Sequence, residues 1–290
     1  MQIGAWLPST EFDVDAQRLV RFAQDMEQAG VAFLESSDHV LTARLPESHG
    51  SATMIAQGYH DPFMLFGFLS QQTTLDFATS VLVLPQRPAA LVAKQMAELI
   101  WFHGDRFRFG VGSGWNEPEF EALGVDFADR GAILSEQISV IEALWPGGYA
   151  SFEGQHHRLD QVGIAPATTR AGPPLWFGGH SRRVLERVAR HGEGWMPLAA
   201  PTSPNLPAEL ELLRRLTDQR GRDPASIGIE GRIVLTNSTT PDDWLRTAES
   251  WQRLGLTHLA LTYEGGCFDD LDRVTEAISE FVQRLTALFP

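Results

Sequence analysis

Three short stretches of this 290-residue chain carry groups able to do chemistry. The first is Ser36-Ser37-Asp38-His39, where an imidazole can donate, accept or orient a proton and the adjacent carboxyl can hydrogen-bond close by. The same residues also read as a turn capped by Asp38, with His39 at the surface. The second is Gly110-Val111-Gly112-Ser113-Gly114-Trp115-Asn116, whose glycines would let the backbone approach a ligand and turn amides toward it. A dinucleotide fingerprint would need glycine at Trp115, so that motif fails. A tight turn into a helix carrying Glu117, Glu119 and Glu121 fits equally well, and those acids suit the positive helix end without a ligand. The third is Gly178-Gly179-His180-Ser181-Arg182-Arg183, which opens a helix. Exposed amides beside two arginines suit a phosphate or another anion. The plainer reading is a helix capped by Ser181.

Other chemistries find little support. His156-His157 has no matching third ligand, so no metal site is expected. The chain lacks His-Glu-x-x-His and the Gly-x-Ser-x-Gly elbow. A glycosidase needs paired carboxylates at strand ends; Glu264 would supply one, but Glu230 lies too early in its strand. Trp6, Trp115, Trp176 and Trp195 fall in or just after strands, where each serves as core filler or as one wall of a flat pocket.

These stretches follow apolar runs, and the runs alternate with amphipathic helices. The strands are expected at Ile3–Leu7, Val31–Leu34, Phe77–Leu84, Phe107–Val111, Leu175–Phe177, Gly194–Met196, Ile227–Val234 and His258–Thr262. Helices are expected between them, among them one with Leu19, Phe22, Ala23 and Met26 on a single face. Others run near Pro62–Gln72, Ala89–Phe102, Ala208–Arg220 and Pro241–Arg253. A longer helix carries Leu134, Ile138, Ile141 and Trp145, and the last packs Leu271, Val274, Ile278 and Phe281. The Gly-, Pro- and His-rich segment Pro146–Pro173 reads as a rim excursion. Eight continuous apolar strands separated by helices predict one α/β domain over residues 1–290, a parallel (β/α)₈ TIM barrel. In such a barrel the reactive groups lie just after each strand.

Composition narrows the partner. The formal net charge of −14 argues against nucleic acid and anionic membrane surfaces and for a small molecule. Cys267 is the single cysteine, which excludes an internal disulfide and a cysteine-rich metal site. Met1-Gln2-Ile3-Gly4 does not resemble a signal peptide and no run of eighteen apolar residues occurs, so the cytoplasm is expected.

Taken together, the motifs resemble the luciferase-like monooxygenase superfamily, and within it a branch of oxidoreductases that use the deazaflavin coenzyme F420. The resemblance covers nearly the whole chain. It rests on Ser37-Asp38-His39, Ser80-Val81-Leu82-Val83-Leu84-Pro85, Ala93-Lys94-Gln95, Gly110 through Glu117, and Phe120-Glu121-Ala122-Leu123-Gly124. It continues through Phe152-Glu153-Gly154, Pro173 through Gly179, and Gly192-Glu193-Gly194-Trp195-Met196-Pro197. It implies that Asp38 contacts the cofactor, that His39 sits beside the reacting ring as a base or orienting group, and that Ser80-Val81 is a non-proline cis peptide forming a bulge behind the ring. Gly178, Gly179 and His180 would line the phosphate tail, with Ser181, Gly114, Trp115 and Asn116 completing the cofactor set. A homodimer is usual in such relatives. Two departures stand out. His103-Gly104-Asp105-Arg106 replaces the usual Ser-Gly-Gly-Arg, at the far end of the barrel. Trp115 stands where a related sugar-phosphate dehydrogenase has a catalytic glutamate, so that enzyme's mechanism and substrate do not carry over.

The expected activity is hydride transfer between a deazaflavin and a small, partly apolar substrate near Trp6, Trp115 and Tyr59. His39 would move or steady a proton, and the loop Thr42–Asp61, with Gly50 and Gly58, would close over the site. The alternatives are an FMN-dependent monooxygenase on the same fold and a non-catalytic flavin-binding relative.

Overall fold

The computed structural model describes residues 1–8, 12, 14–42, 59–168, 172–263, 267–268 and 270–288. Most of the expected closing loop, including Gly50 and Gly58, lies outside these residues, as does Glu264.

Most of the strands form where buried residues cluster, β6 and β7 being the exceptions. They are β1 (Gln2–Trp6), β2 (Phe33–Ser36), β3 (Asp76–Thr79), β4 (Leu82–Val83) and β5 (Phe107–Gly112), then β6 (Ala150–Glu153) and β7 (Arg158–Val162), then β8 (Leu175–Gly178), β9 (Gly194–Met196), β10 (Gly228–Leu235) and β11 (His258–Tyr263). Nine of them join in the order β3-β2-β1-β11-β10-β9-β8-β5-β4, and β3 also pairs with β5, which closes the sheet. All pairings in this sheet are parallel, with registers such as Leu34↔Phe77 and Phe77↔Phe107. β3 and β4 are one strand position interrupted at Ser80–Val81, so the architecture is an eight-position (β/α)₈ barrel, as the sequence predicts.

The helices are α1 (Ala16–Gln28), α2 (Pro62–Leu69), α3 (Ala89–His103), α4 (Glu117–Ala122), α5 (Arg130–Leu144), α6 (Arg182–His191), α7 (Leu206–Asp218), α8 (Pro241–Arg253) and α9 (Leu271–Leu288). Their starts are set by local chemistry. Asp15 accepts from the Arg18 N–H at 2.8 Å. Ser181 caps α6. At α8 the Thr240 hydroxyl accepts from the Asp243 N–H while the Asp243 carboxylate accepts from the Thr240 N–H, a reciprocal box. The predicted face of α1, Leu19, Phe22, Ala23 and Met26, is buried as a unit. Pro146–Pro173 is not wholly irregular: β6 and β7 pair in it as an antiparallel hairpin. Its alternation of polar and apolar residues holds over only the four residues of β6 and breaks in β7, and neither strand is covered on both faces.

Inside the barrel, apolar packing gives way to a charged cluster. The Arg108 guanidinium on β5 contacts Glu35 on β2 at 3.1 Å and Glu230 on β10 at 2.7 Å. Neither strand neighbours β5 in the sheet, so these side chains cross the interior. The guanidinium also lies over the rings of Phe33 and Trp176. Burial, and then the neighbouring Glu35 charge, pushes the Glu230 carboxyl well above the usual range. Glu230 is thus an interior residue and not half of a strand-end pair. Trp176 is buried in the interior and Trp195 in the core, both as filler.

Candidate active site at the carboxyl ends of the strands

β2 ends at Ser36 and delivers Ser37, Asp38 and His39 to the barrel mouth. The segment is stitched to the interrupted strand beside it. The Ser37 hydroxyl donates to the Ser80 carbonyl at 3.0 Å. Asp38 accepts from the Val83 N–H at 3.1 Å and from Arg87 at 2.7 Å. Burial pushes the Asp38 carboxyl up, and the Arg87 guanidinium offsets part of that rise. Arg87 also contacts Asp61 at 2.9 Å. Both Asp38 oxygens therefore already have protein donors, and Asp38 ties β2 to β4 at the floor of the mouth.

His39 points the other way. Its Nδ1 lies 2.9 Å from Glu119, and both side chains are almost fully buried. The second Glu119 oxygen accepts from the Leu41 N–H at 3.0 Å, and Asn116 Nδ2 donates to the first at 3.2 Å. Burial pushes the Glu119 carboxyl up, yet the bonds from His39 and Leu41 outweigh it and leave the group below the usual range. Glu119 therefore stays ionised and fixes the imidazole, so among the described residues Nε2 is the nitrogen left to exchange a proton. The rings of Tyr59 and Trp115 flank His39 at 5.4 and 5.9 Å. Trp115 is 43% exposed and so faces the mouth, whereas the Trp6 indole donates to Glu35 inside the barrel.

Ser80–Val81 is a cis peptide, as the resemblance implies. Ser80 is held from below by Arg232, which donates to its carbonyl at 3.3 Å and to its hydroxyl. Val81 fills the space between two other strand ends: a Cβ on Gly112 or Gly178 would come within 2.6 or 2.7 Å of its methyl groups. Gly114 takes φ +78°, a conformation open to glycine, and its carbonyl accepts from Arg130 at 3.2 Å. Asn116 is buried, and its Oδ1 has no partner among the described residues. A bound group with a donor there would complete it.

Gly178 and Gly179 follow β8, with Gly178 against Val81 and Gly179 at φ +112°. The Gly179 N–H is used by the Met196 carbonyl at 3.2 Å, and its carbonyl accepts from the buried Trp195 indole at 2.6 Å. The free donors at this turn are thus not on Gly179 itself but at the start of α6, beside exposed His180 and Ser181. The structure brings Asp38, His39, Ser80 and Val81 together, with Gly114, Trp115 and Asn116 next to them and Gly178, at the head of the 178–181 turn, against Val81.

Two residues to which the sequence assigns no part in the site complete it, Glu119 and Arg87. Glu119 was grouped with Glu117 and Glu121 as a helix-end acid, yet it turns inward to His39. Its position three residues after Asn116, the residue that starts α4, was the available signal. Nothing in the sequence pointed to Arg87.

The chain matches the luciferase-like monooxygenase family over residues 1–276. An uncharacterised protein of Mycobacterium tuberculosis is 40% identical over 145 residues, 49% of this chain and 49% of that protein. The chain thus spans about half the length of that curated relative. An F420-dependent hydroxymycolic acid dehydrogenase of the same organism is 27% identical over 260 residues, 86% of this chain and 66% of the relative. Among solved structures, the monooxygenase RslO1 from Streptomyces bottropensis superposes with a TM-score of 0.83 at 18% identity, covering 100% of both chains, a likeness of fold. With its closed barrel and a mouth built on His39 and the Ser80–Val81 bulge, this chain belongs to the luciferase-like monooxygenase family.

Proposed function

We propose that this protein is an oxidoreductase that transfers a hydride between a deazaflavin, coenzyme F420, and a small, partly apolar organic substrate. The observation that carries the reading is His39, held through Nδ1 by an ionised Glu119 and stitched through Ser37 and Asp38 to the Ser80–Val81 bulge. The identity with an F420-dependent dehydrogenase supports the choice of cofactor.

The residues present suit such a group. Ser80, Val81, Gly114, Trp115 and Asn116 would hold the ring, with the unpartnered Asn116 Oδ1 accepting from it. Gly178, Gly179, His180 and Ser181, with the first amides of α6, would hold the phosphate. The bound cofactor supplies the hydride acceptor or donor. His39 does the proton work: Nε2 takes the hydroxyl proton as a substrate alcohol becomes a carbonyl, or returns it in the reverse direction. Tyr59 and Trp115 orient the substrate and keep water from the imidazole. Asp38 keeps β2 in register with β4 and so sets the height of His39 above the floor.

Titration of the purified protein with F420 and with FMN tests the assignment. Tight binding of F420 with substrate-dependent reduction is expected. Preference for FMN with oxygen consumption would make it a monooxygenase on the same residues, and binding of either without turnover on a broad panel would make it a non-catalytic relative.

A further inference from the structure

A chain with a net charge of −14 gathers four arginines and a histidine around one cavity away from the barrel mouth. The cavity, about 420 Å³ in volume, lies between α5 and α6 and reaches the segment after α7. Arg183, Arg187 and Arg190 come from α6, Arg220 follows α7, and Ser135 and Ser139 line the opposite wall. The acids nearby are already engaged: Glu186 pairs with Arg182 at 2.9 Å, and Glu142 pairs with His191 at 3.1 Å. Among the described residues, none of the four lining arginines has a carboxylate within ion-pair distance.

Arg187 shows that the positive charge is only partly offset. It is half-buried and held by neutral groups, donating to the Gly131 carbonyl at 2.7 Å and to the Ser135 hydroxyl at 3.0 Å. Burial, and then the neighbouring Arg183, push its guanidinium below the ordinary value, and the Glu186 carboxylate offsets only part of that. Four clustered guanidinium groups beside one carboxylate, itself paired with Arg182, repel one another, and a bound anion reverses the sign of that interaction. From Arg183 to Arg190 the positive track runs about 10 Å along α6. That length spans several anionic groups. At its upper end the cavity meets Gly131, next to Arg130, which holds the Gly114 carbonyl, and Arg183, two residues beyond Ser181.

We propose that the groove between α5 and α6 binds an extended polyanion, a molecule bearing several phosphate or carboxylate groups. The site stands on the groove alone and not on the cofactor assignment. Two sources share this chemistry: a free anion, or the anionic tail of a molecule whose ring occupies the barrel mouth.

Isothermal titration of the full chain with tripolyphosphate at low ionic strength tests this. Wild type should bind, and the exposed double variant Arg183→Gln/Arg190→Gln should lose roughly tenfold or more in affinity. The variant Arg246→Gln/Arg284→Gln removes two charges elsewhere and should bind as wild type does. Arg187→Gln, whose guanidinium also braces α5, should weaken binding further, with folding checked by circular dichroism. Repeating the titration with protein loaded with FMN or F420 separates the sources. Displacement identifies the cofactor's own tail, and unchanged binding identifies an independent anion. Undetectable binding to wild type, or equal affinity in wild type and Arg183→Gln/Arg190→Gln, would overturn the proposal.

Discussion

His39 is useful because its second nitrogen is spoken for. With Nδ1 held by Glu119 at 2.9 Å, the ring cannot rotate and Nε2 presents one fixed direction to a substrate. His39→Ala is expected to lower kcat by about 10²–10⁴-fold, with cofactor affinity nearly unchanged in a fluorescence titration. Equal kcat in variant and wild type would remove the proton role. Glu119→Gln keeps the shape but not the charge, so kcat should fall by about tenfold or more while KM stays close to wild type. Partial recovery in Glu119→Asp is expected, because the anion is what the imidazole needs. Arg87 acts differently. Arg87→Met would leave Asp38 buried without its cation, a loss of about 3–5 kcal/mol readable as a lower urea midpoint. A midpoint within error of wild type would show that Asp38 does not depend on it. Of these four residues, the sequence revealed only the adjacent pair Asp38 and His39. Their partners lie 49 and 80 positions away, and a contact at that separation exists only once the barrel has closed.

The elements were far more legible, because hydrophobic periodicity is a local property. Gly194–Met196 and Pro241–Arg253 fall where the residue pattern places them, the second fixed by its Thr240–Asp243 box. The apolar run Phe77–Leu84 reads as one strand, whereas the chain breaks it into β3 and β4. Side-chain hydrophobicity does not report a backbone interruption, and there only the family resemblance foresaw it. The β6–β7 hairpin escaped because its strands are short and largely uncovered, with no continuous apolar run and an alternation that lasts only the four residues of β6. The element ends that meet at Val81 have little tolerance. Gly178→Ala would drive a Cβ to 2.7 Å from a Val81 methyl, and one of the two must move. We expect a stability loss of about 1–3 kcal/mol together with weaker cofactor binding. Wild-type affinity in that variant would argue that the bulge does not touch the ring. Ser181→Ala removes the α6 cap, at about 1 kcal/mol, together with a hydroxyl proposed to face the phosphate, and should leave the bulge and the ring side of the site unchanged.

At the scale of the whole molecule, the barrel holds two titratable groups whose burial sets the pH dependence of folding in opposite directions. His258 begins β11 against Phe33 and Trp176; burial, with Arg108 nearby, pushes its imidazole down to about 3. Between that value and the unfolded value near 6.5, the unfolded chain carries a proton that the folded one lacks. Stability from this group therefore rises with pH across the window and is lost as pH falls through it. Glu230 does the reverse. Its folded value is raised well above 4.5, so above that pH the folded chain holds a proton the unfolded one has released, and stability falls as pH rises. Each single proton is worth about 1.4 kcal/mol per pH unit. Above pH 4.5 the two slopes oppose each other; below 4.5 the His258 slope acts alone, and the fold weakens. Comparing each variant with wild type removes the contribution of every other carboxylate. His258→Asn should therefore flatten the loss below pH 4.5 and expose a decline in stability between 4.5 and 6.5. Glu230→Gln should instead give a stability that climbs over that same interval. Urea midpoints at half-unit steps from pH 3.5 to 7 measure both curves. Curves for both variants that run parallel to wild type would mean that neither group changes its protonation on folding, and the interior charge cluster would lose its assigned role.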